Sequence, residues 1–401
     1  MKNRYIPTAL SLYVNYIIHG IGVIIISQHR EQLGLQWGVD VTSVMSVVSM
    51  LGIGRLIAIL ISGRLSDMFG RKPFVLLGAA TYILYFLGLI YSPNQMVAMV
   101  LTVLAGIANS FLDSGTYPAL MESFPEQAGT ANVLIKAAVQ IGQFVLPFII
   151  IAASAMGFWQ LAFWIAAVVL FLNMFLIWKL PFPDADAKEE AEKGQAKEAY
   201  VSAVTFKSQP KIWLEGVAFI IYGFISQATF YLISQFISVY GQQAAGMSEA
   251  ASKLLLSSYS TGSLLCVAFT AIVGLKLRSV NLVLVYTFMS LVSIAAMWLF
   301  PSPLVVQVGA AAVGFFAAGG VMQLGLTVMG EMFPAGKGTI TGIFYTFGSI
   351  ASFVVPIWAA TIEKTNVRNI MLLDTIFAAI GFVIAIIVYI RYHQTVDTSK
   401  K

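Results

Sequence analysis

Four ionisable side chains stand inside long apolar runs of this sequence: His19, Arg55, Asp113 and Lys136. Ionisable groups in such surroundings pair with one another or line a water-filled path. Asp113 can neutralise Arg55 or Lys136, but not both. A cation left over in a cavity attracts an anion, and the two-pronged donor geometry of arginine suits a carboxylate. Asp113 is also a candidate proton carrier, because its ionisation responds to nearby cations and to substrate. His19 is the second proton-coupling candidate, since histidine titrates near neutral pH when unperturbed. A neutral histidine that donates to a substrate hydroxyl, or is packed in a bundle, is the competing reading. For Asp113 and its cations the competing reading is a static buried pair that holds helices together.

Around these four, polar residues recur at helical spacing. Asn132, Lys136, Gln140 and Gln143 form one stripe, Ser11, Asn15 and His19 another, and Asn109, Asp113 and Tyr117 a third. Later in the chain come Gln227, Tyr231 and Ser234 with Gln235 beside them, then Gln323 with Thr327, and Thr341 with Tyr345. Polar side chains between membrane helices can be simple glue, worth about 0.6 kcal/mol each. Serine and threonine suit that role, whereas a stripe of amides with a lysine suits a cavity wall. The substrate-binding candidates are therefore Asn15, His19, Arg55, Asn109, Lys136, Gln140, Gln143, Gln227, Tyr231, Gln323 and Tyr345. The first half supplies cations, and the second supplies amides and phenols without a deeply placed charge. Such a site suits a small molecule with one carboxylate and several hydroxyls, of the quinate or shikimate kind or a sugar acid. Neutral sugars remain open if Asp113 cancels Arg55 and Lys136 is structural. Asp374 reads as interfacial, and Glu215 as an acid capping a helix start.

The elements that must position these residues follow from composition. The chain has 401 residues, 59% hydrophobic and 10% charged. Soluble proteins are about 45–50% apolar and about 25% charged, so roughly 60 charges are missing. That excludes an ordinary cytosolic domain, a disordered chain and a nucleic-acid binder, and the +5 net charge is not by itself a basic patch. A single cysteine, Cys266, excludes an internal disulfide and a cysteine metal cluster. The solvent implied is lipid.

A membrane-spanning helix needs about 20 mostly apolar residues. Twelve such spans are expected, near 5–27, 41–63, 74–91, 96–118, 131–153, 158–179, 213–240, 254–275, 281–300, 304–328, 339–361 and 370–390. The expected fold is all-α and membrane-embedded: a six-helix bundle over 1–180, a partly helical linker over 181–211 and a second bundle over 212–401. The first span carries Asn15 and His19 and lacks a small-residue cleavage site, so it does not read as a signal peptide. Placing both termini and the linker in the cytoplasm puts 17 of the 23 Lys and Arg on that side and 4 outside, with Arg55 and Lys136 in spans. At 1.5 Å per residue, Arg55 then lies about 12 Å from the inner end of its span, Asp113 roughly 8–13 Å and Lys136 about 8 Å.

The halves repeat. Residues 122–147 read ESFPEQAGTANVLIKAAVQIGQFVLP and residues 331–356 read EMFPAGKGTITGIFYTFGSIASFVVP. At an offset of 209, Glu122 meets Glu331, and Phe124, Pro125, Gly129, Thr130, Ile141, Phe144, Val145 and Pro147 also find identical partners. Two halves in parallel repeat place a substrate site near the midplane between them. Residues 63–73 read GRLSDMFGRKP. Gly63 and Gly70 would permit close packing and a tight turn, and Asp67 could form a charge-assisted link amid Arg64, Arg71 and Lys72. A plain positive-inside loop needs the cations but neither Asp67 nor the glycines.

This segment resembles the G-x-L-x-D-x-x-G-R-[RK] signature of the major facilitator superfamily, matching at Gly63, Leu65, Asp67, Gly70, Arg71 and Lys72. Met68 stands where a basic residue is common. The segments 11–20, 52–56 and 109–125 further resemble the bacterial YdiM/YdiN-type branch. The resemblance covers essentially the whole chain. It implies alternating access between two six-helix bundles, with Gly63, Asp67, Gly70, Arg71, Lys72, Glu122 and Glu331 in the conformational motif. The counterpart at 274–279, GLKLRS, is degenerate, and the antiporter run G-x-x-x-G-P-x-x-G-G is missing from span 5.

With His19, His29 and His393 the only histidines, and no H-E-x-x-H, G-x-S-x-G or Walker A run, enzyme chemistry and ATP-driven pumping are disfavoured. A sensor would need a larger soluble module than the linker. The expectation is a secondary transporter, proton-coupled and taking up a hydroxylated organic anion; efflux of sugars or amphipathic drugs is the alternative. Its expected partners are a small-molecule substrate, protons and the bilayer of the bacterial inner membrane. No cofactor, metal or nucleic acid is expected, and the chain is expected to be monomeric.

Overall fold

In lipid no water satisfies a backbone N–H or C=O, so a chain this apolar must form helices that bond internally. The computed structural model describes residues 3–124, 127–183, 206–273, 277–333 and 337–396. Its helices are α1 (Ile6–Gln28), α2 (Arg30–Trp37), α3 (Val44–Phe69), α4 (Arg71–Tyr91), α5 (Gln95–Ser123), α6 (Ala128–Ala155), α7 (Leu161–Lys179), α8 (Val217–Gln243), α9 (Glu249–Val273), α10 (Ser279–Leu299), α11 (Pro303–Val313), α12 (Val321–Met332), α13 (Lys337–Glu363) and α14 (Arg368–Thr395). Wider π turns, Ile212–Gly216 and Gly314–Ala318, precede α8 and follow α11. Among the described residues ten helices are long and apolar enough to cross a membrane, or up to eleven when the two parts of α3, bent by 51°, count as one span. Each of the twelve expected spans coincides with helix. The far end of the eighth, 274–275, lies outside the described residues, as do 184–205 of the linker and Pro125 and Pro334 of the repeat.

The chain separates into two compact units, Met1–Tyr200 and Val201–Lys401. Within the first, α1 packs on α6, α3 on α5 and α4 on α7. Within the second the equivalent spans pair the same way: α8 on α13, α9 on α11 and α10 on α14. Pro147 lies inside α6 and Pro356 inside α13, at the offset the sequence repeat gives.

The repeat extends to the closest helix crossings. A Cβ on Gly54 would lie 1.9 Å from the Val103 carbonyl oxygen, and one on Gly106 would lie 2.3 Å from that of Leu51. In the second unit a Cβ on Gly262 would lie 1.9 Å from the Ala311 carbonyl oxygen, and one on Gly314 would lie 1.9 Å from that of Tyr259. Both pairs are related by 208 residues. Only glycine lets backbones approach so closely, and small residues are the usual means of packing helices where no hydrophobic effect drives them together. Large apolar side chains such as Leu84, Val100, Phe171, Leu172, Leu265, Phe288 and Val383 are exposed. In water such a surface would be a liability; against acyl chains it is the required one.

Candidate functional site

The Gly54–Gly106 crossing sets the register of α3 against α5. Serines continue the contact: Ser110 Oγ donates to the Arg55 carbonyl at 3.3 Å, Ser62 Oγ to that of Ser110 at 3.2 Å and Ser66 Oγ to that of Ser114 at 2.9 Å. With the backbones so fixed, Arg55 Nη2 donates to Asp113 Oδ2 at 3.1 Å, and both side chains are about one-fifth exposed. Of the two cations considered for Asp113, Arg55 is the one bridged to it. The other carboxylate oxygen, Oδ1, accepts from Tyr16 Oη of α1 at 2.6 Å. Tyr16 stands edge-on to Tyr117 at 6.1 Å and to His19 at 5.6 Å.

His19 Nδ1 shares a 2.6 Å hydrogen bond with Tyr82 Oη, and Arg55 and Lys136 both lie within electrostatic reach of its ring. The four ionisable residues thus converge on one region of the first unit. Asn15 is fully buried, and its Oδ1 accepts from Asn173 Nδ2 of α7 at 2.7 Å. The Oδ1 of Asn109 and the Oε1 of Gln140 and Gln143 are buried with no hydrogen-bond donor among the described residues, and the Nδ2 of Asn15 is buried with no acceptor among them. Buried polar atoms are normally satisfied, so these are set out for water or a ligand. Three free carbonyl oxygens call for donors such as hydroxyls.

Sequence reasoning missed Tyr16, Tyr82 and Asn173. Tyr16 lies three residues before His19 and so shares its helix face. Asn173 is the lone amide in the run LAFWIAAVVLFLNMFLIWK, which marks it as partnered.

In the second unit Gln227 Nε2 donates to Ser352 Oγ at 3.0 Å, tying α8 to α13. Tyr231 is buried, Gln323 half-buried with its Oε1 lacking a donor among the described residues, and Tyr345 half-buried beside Phe344. Two expectations need correction here. Asp374 is not solvent-facing: α14 packs it at 0% exposure. Gly63 is not a close-packing position, since a Cβ there would meet nothing within 4 Å.

At the α3–α4 junction Gly70 adopts φ 99°, a left-handed conformation that ends one helix and starts the next. This brings Arg71 onto Asp67, and onto Glu122 of α5 at 3.2 Å. Lys72 Nζ donates to the carbonyls of Trp178 at 2.5 Å and Leu180 at 2.9 Å, fastening α4 to the end of α7. Glu331, the repeat partner of Glu122, accepts from Tyr392 Oη at 2.6 Å. Glu215 accepts from the Lys211 backbone N–H at 2.8 Å and pairs with Arg391 at 2.7 Å, so it does stand at a helix start. Among the described residues no three His, Cys, Asp or Glu side chains are grouped to hold a metal ion.

Long apolar helices with exposed apolar surfaces around a polar, ionisable cluster define an integral membrane protein. The chain belongs to the Major Facilitator Superfamily, whose pattern matches residues 8–356. It is 43% identical over 394 residues to the inner membrane transport protein YdiM of Escherichia coli K12, covering 98% of this chain and 96% of that one. To YdiN of the same organism it is 36% identical, covering 97% and 91%. To the MFS-type transporter YfkL of Bacillus subtilis 168 it is 38% identical, covering 98% of each. The sequence likeness to the YdiM/YdiN branch therefore holds over the whole chain. The fold is shared with the crystal structure of a D-xylose–proton symporter at a TM-score of 0.74 and 14% identity, covering 96% and 97%. It is shared also with the inward-open xylose transporter XylE of E. coli at a TM-score of 0.73 and 12% identity, covering 98% and 97%.

Proposed function

We propose that this chain carries a small hydroxylated organic anion into the cell together with a proton, with both termini in the cytoplasm. The observation that supports this reading above others is the 3.1 Å Arg55–Asp113 pair, with Tyr16 on its far oxygen. One guanidinium faces one carboxylate, and a guanidinium is the donor group best matched to a substrate carboxylate. A proton on Asp113 removes the competitor and lets Arg55 take the substrate carboxylate in a two-pronged grip. Asn109, Gln140 and Gln143 offer acceptor oxygens to its hydroxyls. When the substrate leaves, Asp113 loses its proton and returns to Arg55. Proton and anion then travel together.

The links among Asp67, Arg71 and Glu122 suit a latch that opens and closes between conformations. A second reading, a neutral sugar, draws support from Asp113 already cancelling Arg55 and from the fold shared with xylose transporters. Proteoliposomes with an imposed pH gradient, offered quinate, shikimate, gluconate, glucose and xylose, separate the two. Accumulation of an acid supports the first; accumulation of a sugar alone overturns it.

A further inference from the structure

Asp374 is a carboxyl with no counter-charge bonded to it among the described residues. It is 0% exposed on α14, the seventh residue of the helix, and neither of its oxygens has a hydrogen-bond partner among the described residues. The Thr229 hydroxyl of α8 faces it without closing a bond of good geometry, and is itself unpartnered and 5% exposed. Of the titratable groups on α8, α10 and α13, which pack against α14, and on α9, only the phenol of Tyr259 on α9 acts on this carboxyl; no Lys, Arg, His, Asp or Glu among the described residues does. An ionised carboxylate so enclosed would stand in low dielectric with neither counter-charge nor donor, an arrangement proteins avoid.

A small cavity lies nearby, bordered by Thr229 and not by Asp374 itself. Thr229 lines this cavity together with Tyr222, Ser226, Thr287, Ser290 and, one and two turns along α14 from Asp374, Ala378 and Gly381. Three of the lining hydroxyls, those of Tyr222, Thr229 and Ser290, are buried without partners among the described residues. The lining is otherwise largely apolar, so these unpartnered hydroxyls are the groups to which a buried water would bond.

We propose that Asp374 is a proton-binding site of the second unit, exchanged through water in the cavity behind Thr229. The reaction is a plain transfer. A hydronium in the cavity gives its proton to one carboxylate oxygen, leaving water, and the reverse step returns it. Each unit then holds its own titratable carboxyl: Asp113, bridged to Arg55, and Asp374, standing alone. The proposal is independent of the substrate reading above, and its test uses no substrate.

The test is infrared spectroscopy of the full chain, purified and reconstituted in phosphatidylcholine vesicles at neutral pH. The wild type should show a protonated-carboxyl carbonyl band that is missing from Asp374→Asn, retained but displaced in Asp374→Glu, and shifted on transfer to deuterium oxide. Thr229→Val, which removes the relay hydroxyl but not the acid, should slow that deuterium shift about tenfold. Identical bands in wild type and Asp374→Asn would overturn the proposal, since Asp374 would then be ionised. A band that never shifts in deuterium oxide would overturn it as well, because the proton would not exchange. Loss of the band on adding sodium chloride, with no loss on adding choline chloride, would make the site one for a metal cation and overturn the proton assignment.

Discussion

Arg55 and Asp113 meet at 3.1 Å across α3 and α5, Arg55 at the point where Gly54 and Gly106 bring the two backbones together and Asp113 two turns beyond it. The ion pair and the glycine crossing are one construction: the glycines fix the approach, and the charges use it. Arg55 follows Gly54 directly in sequence, so any outward shift of α3 carries the guanidinium away from the carboxylate.

Removing the cation should remove acid recognition. Arg55→Ala should leave no measurable binding of the transported acid, and Arg55→Lys should weaken it at least tenfold by losing the fork geometry. Equilibrium binding to the purified protein checks this. A variant that binds as the wild type does would make Arg55 a structural residue only.

Asp113→Asn keeps the shape of the carboxyl and fixes it in a neutral form. Exchange of substrate across vesicles loaded on both sides should persist, while accumulation driven by a pH gradient should vanish. Proton-driven accumulation that survives in Asp113→Asn would strip the residue of its coupling role.

One proton moving with one monovalent anion carries no net charge. Uptake by the wild type should therefore respond to an imposed pH gradient and not to a potassium diffusion potential set with valinomycin. Uptake that rises with an inside-negative potential would require more than one proton per anion, or a neutral substrate.

Crowding the helix crossing should cost stability. Gly106→Val puts side-chain atoms where the Leu51 carbonyl already stands at 2.3 Å, and overpacking of this kind costs about 1–3 kcal/mol. Gly262→Val should do the same at the equivalent crossing in the second unit. Gly63→Ala, with open space around it, should leave Tm unchanged or raise it slightly, because alanine favours helix over glycine by about 1 kcal/mol. Thermal unfolding in detergent measures all three.

The Asp67–Arg71–Glu122 links should matter more to rate than to stability. Asp67 is 67% exposed and Glu122 36% exposed, and exposed pairs are worth about 0.2–1 kcal/mol. Asp67→Asn and Glu122→Gln should change Tm little and transport rate severalfold. Unchanged rates in both would reduce the motif to a membrane-topology signal.

Much of this protein is legible in its sequence because lipid leaves few choices. Spans of about 20 apolar residues must be helices, and the EMFP-like repeat and the GRLSDMFGRKP segment mark their order and kinship. His19, Arg55, Asp113 and Lys136 stand out because charge is rare in that setting. Which cation Asp113 takes was not legible: helical spacing gives depth and face, but not the distance between two helices. That distance depends on Gly54 and Gly106 meeting the opposite backbone. Tyr16 and Tyr82 were hidden because an aromatic in a span reads as lipid-facing or core until a partner is seen. Asp374 shows the same limit from the other side. Its place near the start of the last span suggested an interface, and only the packing of α14 put it fully out of reach of solvent. Sequence sets where along a helix a charge lies; the tertiary structure decides what faces it, and in low dielectric that decides what it does.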